Sequence, residues 1–257
     1  MQLLIDIGNT RIKAAVLNGS ELMQHQAIVH AGLSAEHLQL QLLQHYTGIQ
    51  SVWISNVAGV EVATRIQQAI QHQYQLAPIF ATTAATYGEV RSAYVQPEKL
   101  GVDRWLSLLA AHAMQNSAQV TLIVSVGTAM TLDALSHDGQ HRGGLIVPGP
   151  DLMIRSLLSN TSDIATFAAS GERGEAFFAD NTVGAIHQGA DHACAALVEG
   201  AYRHLGINES IKVLVTGGAA QRIVGLLGIP VQEVSDLVLR GLAVMAQNNA
   251  DSNSTQS

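Results

Sequence analysis

The sequence is poor in charged residues, in cysteine and in long apolar runs, and each shortage excludes a class of protein. Only 13% of the 257 residues are charged while 47% are apolar, which excludes an intrinsically disordered chain. The single cysteine, Cys194, excludes an intramolecular disulfide, and we expect it to be a buried small hydrophobic residue. Asp6 interrupts the first apolar run and no run approaches about 18 residues, so we expect neither a leader nor a membrane helix and predict a cytoplasmic protein.

Clusters of basic residues are also missing. The net charge is -7 and no run rich in lysine or arginine occurs, so the sequence lacks the positive surface that nucleic-acid binding requires. We therefore expect no nucleic-acid partner. An anionic ligand has to be bound locally, by backbone N–H groups and a few cations, as small phosphorylated molecules are.

Apolar runs at strand spacing alternate with segments at helical spacing along the chain, which predicts an α/β fold. The apolar pattern from Leu3 to Gly8 returns position by position from Leu122 to Gly127, near the halfway point, and indicates two copies of one plan. We therefore predict two similar lobes with a nucleotide cleft between them, spanning residues 1–117 and 118–247. Residues 248–257, almost all polar, are predicted to form a disordered tail.

The first motif with chemical potential is the turn from Asp6 to Lys13, where a carboxylate ends a buried strand. Such a carboxylate can hold Mg²⁺, and Gly8 lets the backbone approach phosphate oxygens. Lys13 follows and can neutralise charge on a transferring phosphoryl group. Taken alone, the same residues are also compatible with an ordinary β-hairpin turn.

Two further glycine turns lie in the second half. The turn at Gly127, Thr128 and Ala129 offers a hydroxyl to a second phosphate, and the turn from Thr216 to Ala220 offers bare backbone to a purine or its ribose. Each alone is an ordinary turn between secondary-structure elements. The occurrence of phosphate-type turns at corresponding places in both halves favours one shared phosphate site.

Together these turns resemble those of the acetate kinase, sugar kinase, Hsp70 and actin superfamily, whose lobes are ribonuclease H-like. The similarity narrows when the intervening segments are included, because their order is similar to that of type III pantothenate kinases over roughly residues 1 to 245. The segments are Asp6 to Lys13, Tyr94 to Arg104, Gly127 to Ala129, Gly143 to Gly149, Asn181-Thr182 and Asp236 to Leu242.

This resemblance implies an ATP-dependent kinase that phosphorylates pantothenate to 4'-phosphopantothenate, the first step of coenzyme A synthesis. It implies ATP with Mg²⁺ as cofactor, Asp6 at the metal, and nucleotide contacts from Asp6, Ile7, Gly8, Asn9, Thr10, Arg11, Ile12, Lys13 and Thr128. It also implies a homodimer whose pantothenate pocket is formed by Tyr94, Gly101, Val102, Asp103, Arg104 and Thr182.

The pair Asp103-Arg104 also fits this chemistry from its residue types. Asp103 can accept the proton of an attacking hydroxyl, which makes it the candidate catalytic base, and Arg104 can meet an anionic group with its planar fork. The alternative is an exposed pair that merely starts the helix of Trp105.

One position departs from the family pattern. Where the family has an aspartate associated with bound potassium or ammonium, this chain has Ser125. A neutral hydroxyl is a poorer ligand for a cation, so the sequence leaves the monovalent cation requirement open. Asp133 on the next strand is a candidate substitute.

The histidines form no pattern typical of a metal site. Five of the eleven lie among glutamines or in loops, and we expect them at the surface: His25, His30, His37, His45 and His72. Two other functions remain open from the sequence: a different kinase or a phosphatase of the same superfamily, and a nonenzymatic accessory regulator.

Overall fold

The computed structural model describes residues 1–115, 118–160, 174, 176–207 and 209–254. The chain divides into two compact units. Unit 1 comprises Met1–Met114, Asp138–Gln140 and Asp236–Ser257, and unit 2 comprises Gln115–His137 and His141–Ser235. Within the described part of the chain, no helix combines the length and the apolar character that crossing a bilayer demands.

Unit 1 is built on a five-stranded sheet with the order β3-β2-β1-β4-β5. Its strands are β1 (Gln2–Ile7), β2 (Arg11–Asn18), β3 (Glu21–Val29), β4 (Ser51–Asn56) and β5 (Ile79–Phe80), with a separate hairpin of β6 (Thr86–Tyr87) and β7 (Val90–Arg91). Its helices are α1 (Ala35–Gln41), α2 (Val60–Tyr74) and α3 (Val102–Ala113), with short 3-10 turns at Leu43–His45 and Pro97–Lys99.

Unit 2 carries a second five-stranded sheet, with the order β10-β9-β8-β11-β12. Its strands are β8 (Val120–Val126), β9 (Ala129–Leu135), β10 (His141–Pro148), β11 (Ile211–Thr216) and β12 (Gln232–Glu233). Its helices are α4 (Pro150–Asn160), α5 (Thr182–Leu205) and α6 (Gln221–Val224). Cys194 is buried in the core of this unit, as predicted.

The two sheets have the same plan, which confirms the repeat predicted from the apolar pattern. In each, the first strand pairs antiparallel with the second and parallel with the fourth, and the outer strands follow in the same order. The first strands, β1 and β8, are apolar almost throughout because residues on both faces of each strand are buried. Polar residues near the C-terminal ends of these two strands are therefore candidates for a functional site.

The C-terminal segment corrects the predicted domain boundaries. A helix, α7 (Leu237–Ser254), belongs to unit 1 rather than to the second lobe, and it continues well past residue 247, where a disordered tail was predicted. The helix packs on α3, and Gly241 allows this because a Cβ there would lie only 2.1 Å from the carbonyl oxygen of Leu106. Residues 255–257 lie outside the described part. The predicted boundary after residue 117 lies close to the observed change of unit after Met114.

Candidate active site

A row of three polar residues crosses the sheet of unit 1 at the C-terminal end of β1. Asp6 is in register with Lys13 on the antiparallel strand β2 and with Ser55 on the parallel strand β4. Residues directly opposite one another on adjacent strands project from the same face of a sheet. The sheet therefore places one carboxylate between an ammonium group and a hydroxyl.

Asp6 occupies an unusual electrostatic environment. Its Oδ1 atom is buried and has no hydrogen-bond partner among the described residues, and the same holds for the Ser55 hydroxyl oxygen. Burial raises the pKa of Asp6 to about 6; the Ser55 hydroxyl opposes this rise, the negative charge of Asp103 adds to it, and Lys13 opposes it. The site thus holds a carboxylate whose ionised form is only partly compensated by Ser55 and Lys13.

The turn after Asp6 is held in a defined shape by backbone hydrogen bonds. The Gly8 N–H donates to the Arg11 carbonyl at 3.0 Å, and a Cβ on Gly8 would lie only 3.3 Å from that same oxygen. His30 also contacts the turn, because its Nε2 atom lies 2.8 Å from the Gly8 carbonyl oxygen. His30 is only 5% exposed, so the expectation of a surface histidine is wrong for this residue. His30 directly follows β3, and this position brings it into contact with the turn after Asp6.

Asp103 lies in the first turn of α3, where negative charge is favoured by the helix dipole. Its Oδ1 atom accepts a hydrogen bond from the Arg104 N–H at 2.9 Å. A Cβ at Gly101 would lie 2.7 Å from this Oδ1 atom, so a glycine leaves room for the carboxylate. Because the charge of Asp103 raises the pKa of Asp6, the two carboxylates belong to one site within unit 1.

Arg104 is buried beside Tyr94. Its Nη1 atom donates to the Tyr94 hydroxyl at 2.9 Å, and the guanidinium carbon lies 5.7 Å from the centre of the Tyr94 ring. Only 6% of Arg104 is exposed. Burying an arginine is costly unless its charge has partners, and the Tyr94 hydroxyl is one of them. The alternative of an exposed helix-starting pair is wrong for Arg104.

In unit 2, the two predicted glycine turns contact each other. The Gly127 N–H donates to the Ala129 carbonyl at 3.0 Å, which closes the turn before Thr128. Gly217 has a φ of 104°, and the N–H of the nearby Ala219 donates to the Val126 carbonyl at 3.0 Å. A Cβ on Gly217 would lie 2.2 Å from that Val126 oxygen. The second phosphate-type turn and the adenosine-type turn therefore form one continuous backbone surface.

A third glycine supports this surface. The Gly149 N–H donates to the Thr128 carbonyl at 2.8 Å, and a Cβ on Gly149 would lie 2.0 Å from the Gly127 carbonyl oxygen. The segment from Gly143 to Gly149 thus contributes to the second turn through close backbone approach.

Ser125 sits in register with Thr131 on β9 and with Thr216 on β11. Its immediate strand partners are neutral hydroxyl residues, without a formal charge. Asp133, the candidate substitute carboxylate, is paired with His141 at 3.0 Å, and both side chains are almost fully buried. Asp133 therefore already has a partner, His141 on β10.

Thr182 is the first residue of α5. The preceding Asn181 caps this helix, because its Oδ1 atom accepts the Gly184 N–H at 2.9 Å. Thr182, Thr128 and Ser125 belong to unit 2, whereas the other predicted site residues belong to unit 1.

The residues of unit 1 fit a divalent cation. The buried Oδ1 atom of Asp6 lacks a partner and its carboxyl group resists ionisation, and a bound cation would correct both conditions. Among the described residues no group of three or more histidine, cysteine, aspartate or glutamate side chains forms a metal site. Mg²⁺ does not need such a group, because proteins usually hold it through one or two carboxylates together with water and substrate phosphates.

Two residues of this site were missed by sequence reasoning. Ser55 lies in β4, and a hydroxyl among the buried apolar residues of this strand is a signal that could have identified it. His30 follows the edge strand β3 and carries no sequence signal, because its role depends on where β3 ends relative to the turn.

Comparison with known proteins identifies the family of the chain. A family model described as type III pantothenate kinase matches residues 2–204. The type III pantothenate kinase of Aromatoleum aromaticum is 38% identical over 250 residues, covering 97% of this chain and 99% of that protein.

Solved structures show similarity of fold at low sequence identity. A Campylobacter jejuni protein described as a Baf family transcriptional activator has a TM-score of 0.60 at 18% identity, covering 97% of this chain and 99% of its own. The activator of 2-hydroxyisocaproyl-CoA dehydratase from Clostridium difficile, solved with bound ADPNP, has a TM-score of 0.57 at 12% identity, covering 100% and 97%. These matches confirm the predicted fold class of two similar α/β lobes.

Proposed function

The chain belongs to the type III pantothenate kinase family, and from that premise we propose which of its residues carry out the ATP-dependent phosphorylation of pantothenate to 4'-phosphopantothenate. This reaction is the first step of coenzyme A synthesis. The observation that carries the assignment is the buried Oδ1 atom of Asp6, which has no hydrogen-bond partner among the described residues, in a carboxyl group whose pKa the charge of Asp103 helps to raise.

Asp103 is the proposed general base. It takes the proton of the pantothenate 4'-hydroxyl while that oxygen forms a bond to the γ-phosphorus, and the bond from this phosphorus to the β-γ bridging oxygen breaks to release ADP. A positioned base contributes on the order of 10²- to 10⁴-fold, so positioning and charge neutralisation supply most of the acceleration. The Arg104 N–H holds the Asp103 carboxylate in place from the first turn of α3.

Asp6 is the proposed residue for Mg²⁺, which when bound neutralises charge on the ATP phosphates. The partnerless Oδ1 atom supports this role. Backbone and side-chain groups from Ile7 to Lys13 contact the phosphates, with Lys13 held beside Asp6 by strand register. In unit 2 we assign a phosphate contact to Thr128, whose turn is braced by Gly149.

Arg104 is the proposed anchor for pantothenate, which carries a carboxylate. The buried guanidinium, fixed by the Tyr94 hydroxyl and ring, offers a planar fork to that group. Gly101 and Val102 line the approach to Asp103, since both precede it at the start of α3.

The position of Ser125 offers a poor site for a monovalent cation. Ser125 and its strand neighbours Thr131 and Thr216 provide only neutral oxygens, and Asp133 is paired with His141. We propose that this chain responds weakly to potassium or ammonium. A Ser125→Asp variant, which restores the carboxylate of the family pattern, should gain stimulation by potassium.

A homodimer is proposed from the surface of unit 2. Large apolar side chains are exposed along β10, on α4 and just before α5, and we propose that they form the contact with a second copy of the chain, since large exposed apolar patches are typical of interaction sites. These side chains are Leu145, Ile146, Leu152, Leu157, Phe177 and Phe178. Thr182 follows this segment closely, which supports a contribution to the partner's pantothenate pocket.

Two measurements test the proposal. A coupled assay with ATP, pantothenate and Mg²⁺, with and without potassium or ammonium, should yield phosphopantothenate in all conditions. Turnover only with a sugar or acetate would assign the chain to another kinase. Light scattering after gel filtration should show a dimer for the native protein and a monomer for Ile146→Asp, while a monomeric native protein would exclude the shared pocket.

A further inference from the structure

His30 makes two hydrogen bonds to the turn that follows Asp6. Its Nε2 atom lies 2.8 Å from the Gly8 carbonyl oxygen, and its backbone N–H donates to the Thr10 carbonyl at 3.4 Å. The side chain is almost completely buried at the end of the edge strand β3. One residue therefore contacts two carbonyl groups of the turn that follows Asp6.

The partner atoms determine the protonation of the ring. A carbonyl oxygen can only accept, so Nε2 carries the proton and donates it to Gly8. The Nδ1 atom is buried and has no hydrogen-bond partner among the residues that the structure describes. The ring is thus dedicated to the Gly8 carbonyl.

The contact between His30 and the Gly8 carbonyl also fixes the direction of the Asn9 N–H group, because both groups belong to the same peptide. The Gly8 carbonyl and the Asn9 N–H belong to one planar trans peptide, in which the two groups point in opposite directions. When His30 holds the carbonyl inward, the Asn9 N–H must point outward from the turn. Asn9 is exposed, and its N–H makes no hydrogen bond within the described part of the chain.

We propose that His30 is a positioning residue for the kinase reaction, which fixes the Gly8–Asn9 peptide so that the Asn9 N–H donates to a phosphate oxygen of ATP. This inference rests on the proposed role of the turn in nucleotide binding. Without the ring, the Gly8 carbonyl loses its partner and the peptide is free to rotate. The N–H would then be oriented only when nucleotide binds, at a cost in affinity.

Two substitutions of His30 separate this role from a general contribution to stability. His30→Leu removes the donor and keeps an apolar side chain of similar bulk in the buried position. His30→Gln keeps a nitrogen donor at about the position of Nε2 and should rescue the turn. His45→Leu is the matched control, because His45 is an exposed histidine of the same unit.

The measurements are the KM for ATP, the KM for pantothenate, kcat, the Kd for a non-hydrolysable ATP analogue and the Tm. We expect His30→Leu to raise the KM and the Kd for nucleotide roughly tenfold, the effect of a lost hydrogen bond to a charged group, with the KM for pantothenate unchanged. His30→Gln should recover most of the nucleotide affinity, and His45→Leu should match the native protein.

A purely structural role would give a different result. If His30→Leu lowers the Tm and kcat but leaves the nucleotide KM and Kd unchanged, or if His30→Gln is as impaired as His30→Leu, the positioning role is wrong. If native protein binds the ATP analogue but fails to phosphorylate pantothenate, the proposed function fails while the comparison of nucleotide affinities still decides the role of His30.

Discussion

Replacing Asp6 with asparagine should abolish activity and at the same time stabilise the protein. Asparagine has nearly the same shape as aspartate but carries no charge. The native carboxylate is buried beside Asp103 without a partner for Oδ1, so its ionisation opposes folding. A residue kept at a cost to stability is typical of a functional site.

The size and sign of the effect follow from the pKa of Asp6, which is 3.8 ordinarily and about 6 in the folded protein. Below pH 3.8 both states are protonated and there is no penalty. As the pH rises, the unfolded chain loses the proton first, so folding becomes less favourable until the penalty is complete above pH 6. At about 1.4 kcal/mol per pH unit the penalty reaches about 3 kcal/mol at pH 7.5, and about 1 kcal/mol at pH 4.5. The partial exposure of Asp6 makes these values upper limits.

The assay is unfolding by heat and by denaturant, without nucleotide or Mg²⁺, at pH 7.5 and pH 4.5. Asp6→Asn should exceed native stability at pH 7.5, and most of the gain should disappear at pH 4.5. Glu21→Gln, which neutralises an exposed carboxylate of the same unit, should change little at either pH. An Asp6→Asn protein that is no more stable than the native one at pH 7.5, or equally stabilised at both pH values, would refute the reasoning.

Three further substitutions test other parts of the site. Asp103→Asn should lower kcat by about 10²- to 10⁴-fold while the Kd for an ATP analogue stays within about twofold, and unchanged turnover would remove Asp103 as the base. Tyr94→Phe removes the hydroxyl partner of the Arg104 guanidinium and should raise the KM for pantothenate severalfold with the KM for ATP unchanged. A raised KM for ATP with an unchanged KM for pantothenate would place Arg104 at the nucleotide. Gly217→Ala should prevent folding or lower the Tm strongly, whereas Gly225→Ala, where a Cβ meets open space, should be tolerated; a stable Gly217→Ala protein would contradict the packing of this turn.

The sequence was most informative where local pattern decides structure. Helix α5 (Thr182–Leu205) begins directly after Asn181, a residue type that commonly caps helices and is therefore a start signal in the sequence. The repeated apolar pattern at Leu3 and Leu122 identified two matching sheets, because buried central strands allow few polar positions. The turn from Thr216 to Ala220 was found from its glycines, and Gly217 is required there by a positive φ and by close backbone approach.

The features that the sequence did not reveal depend on contacts distant along the chain. Helix α7 joins unit 1 because Gly241 meets the backbone of Leu106, a contact that no local pattern shows. The burial of His30 depends on the register of β3 against β2. The end of the chain looked like a polar tail by composition alone, yet helix α7 continues to Ser254.

The most direct test of the account is a crystal structure of the protein with a non-hydrolysable ATP analogue, Mg²⁺ and pantothenate. We expect the Asp103 carboxylate to lie about 2.6 to 3.2 Å from the pantothenate 4'-hydroxyl, with Asp6 bound to Mg²⁺ directly or through water. A 4'-hydroxyl held by another group, with Asp103 out of hydrogen-bonding range, would contradict the assignment of the base.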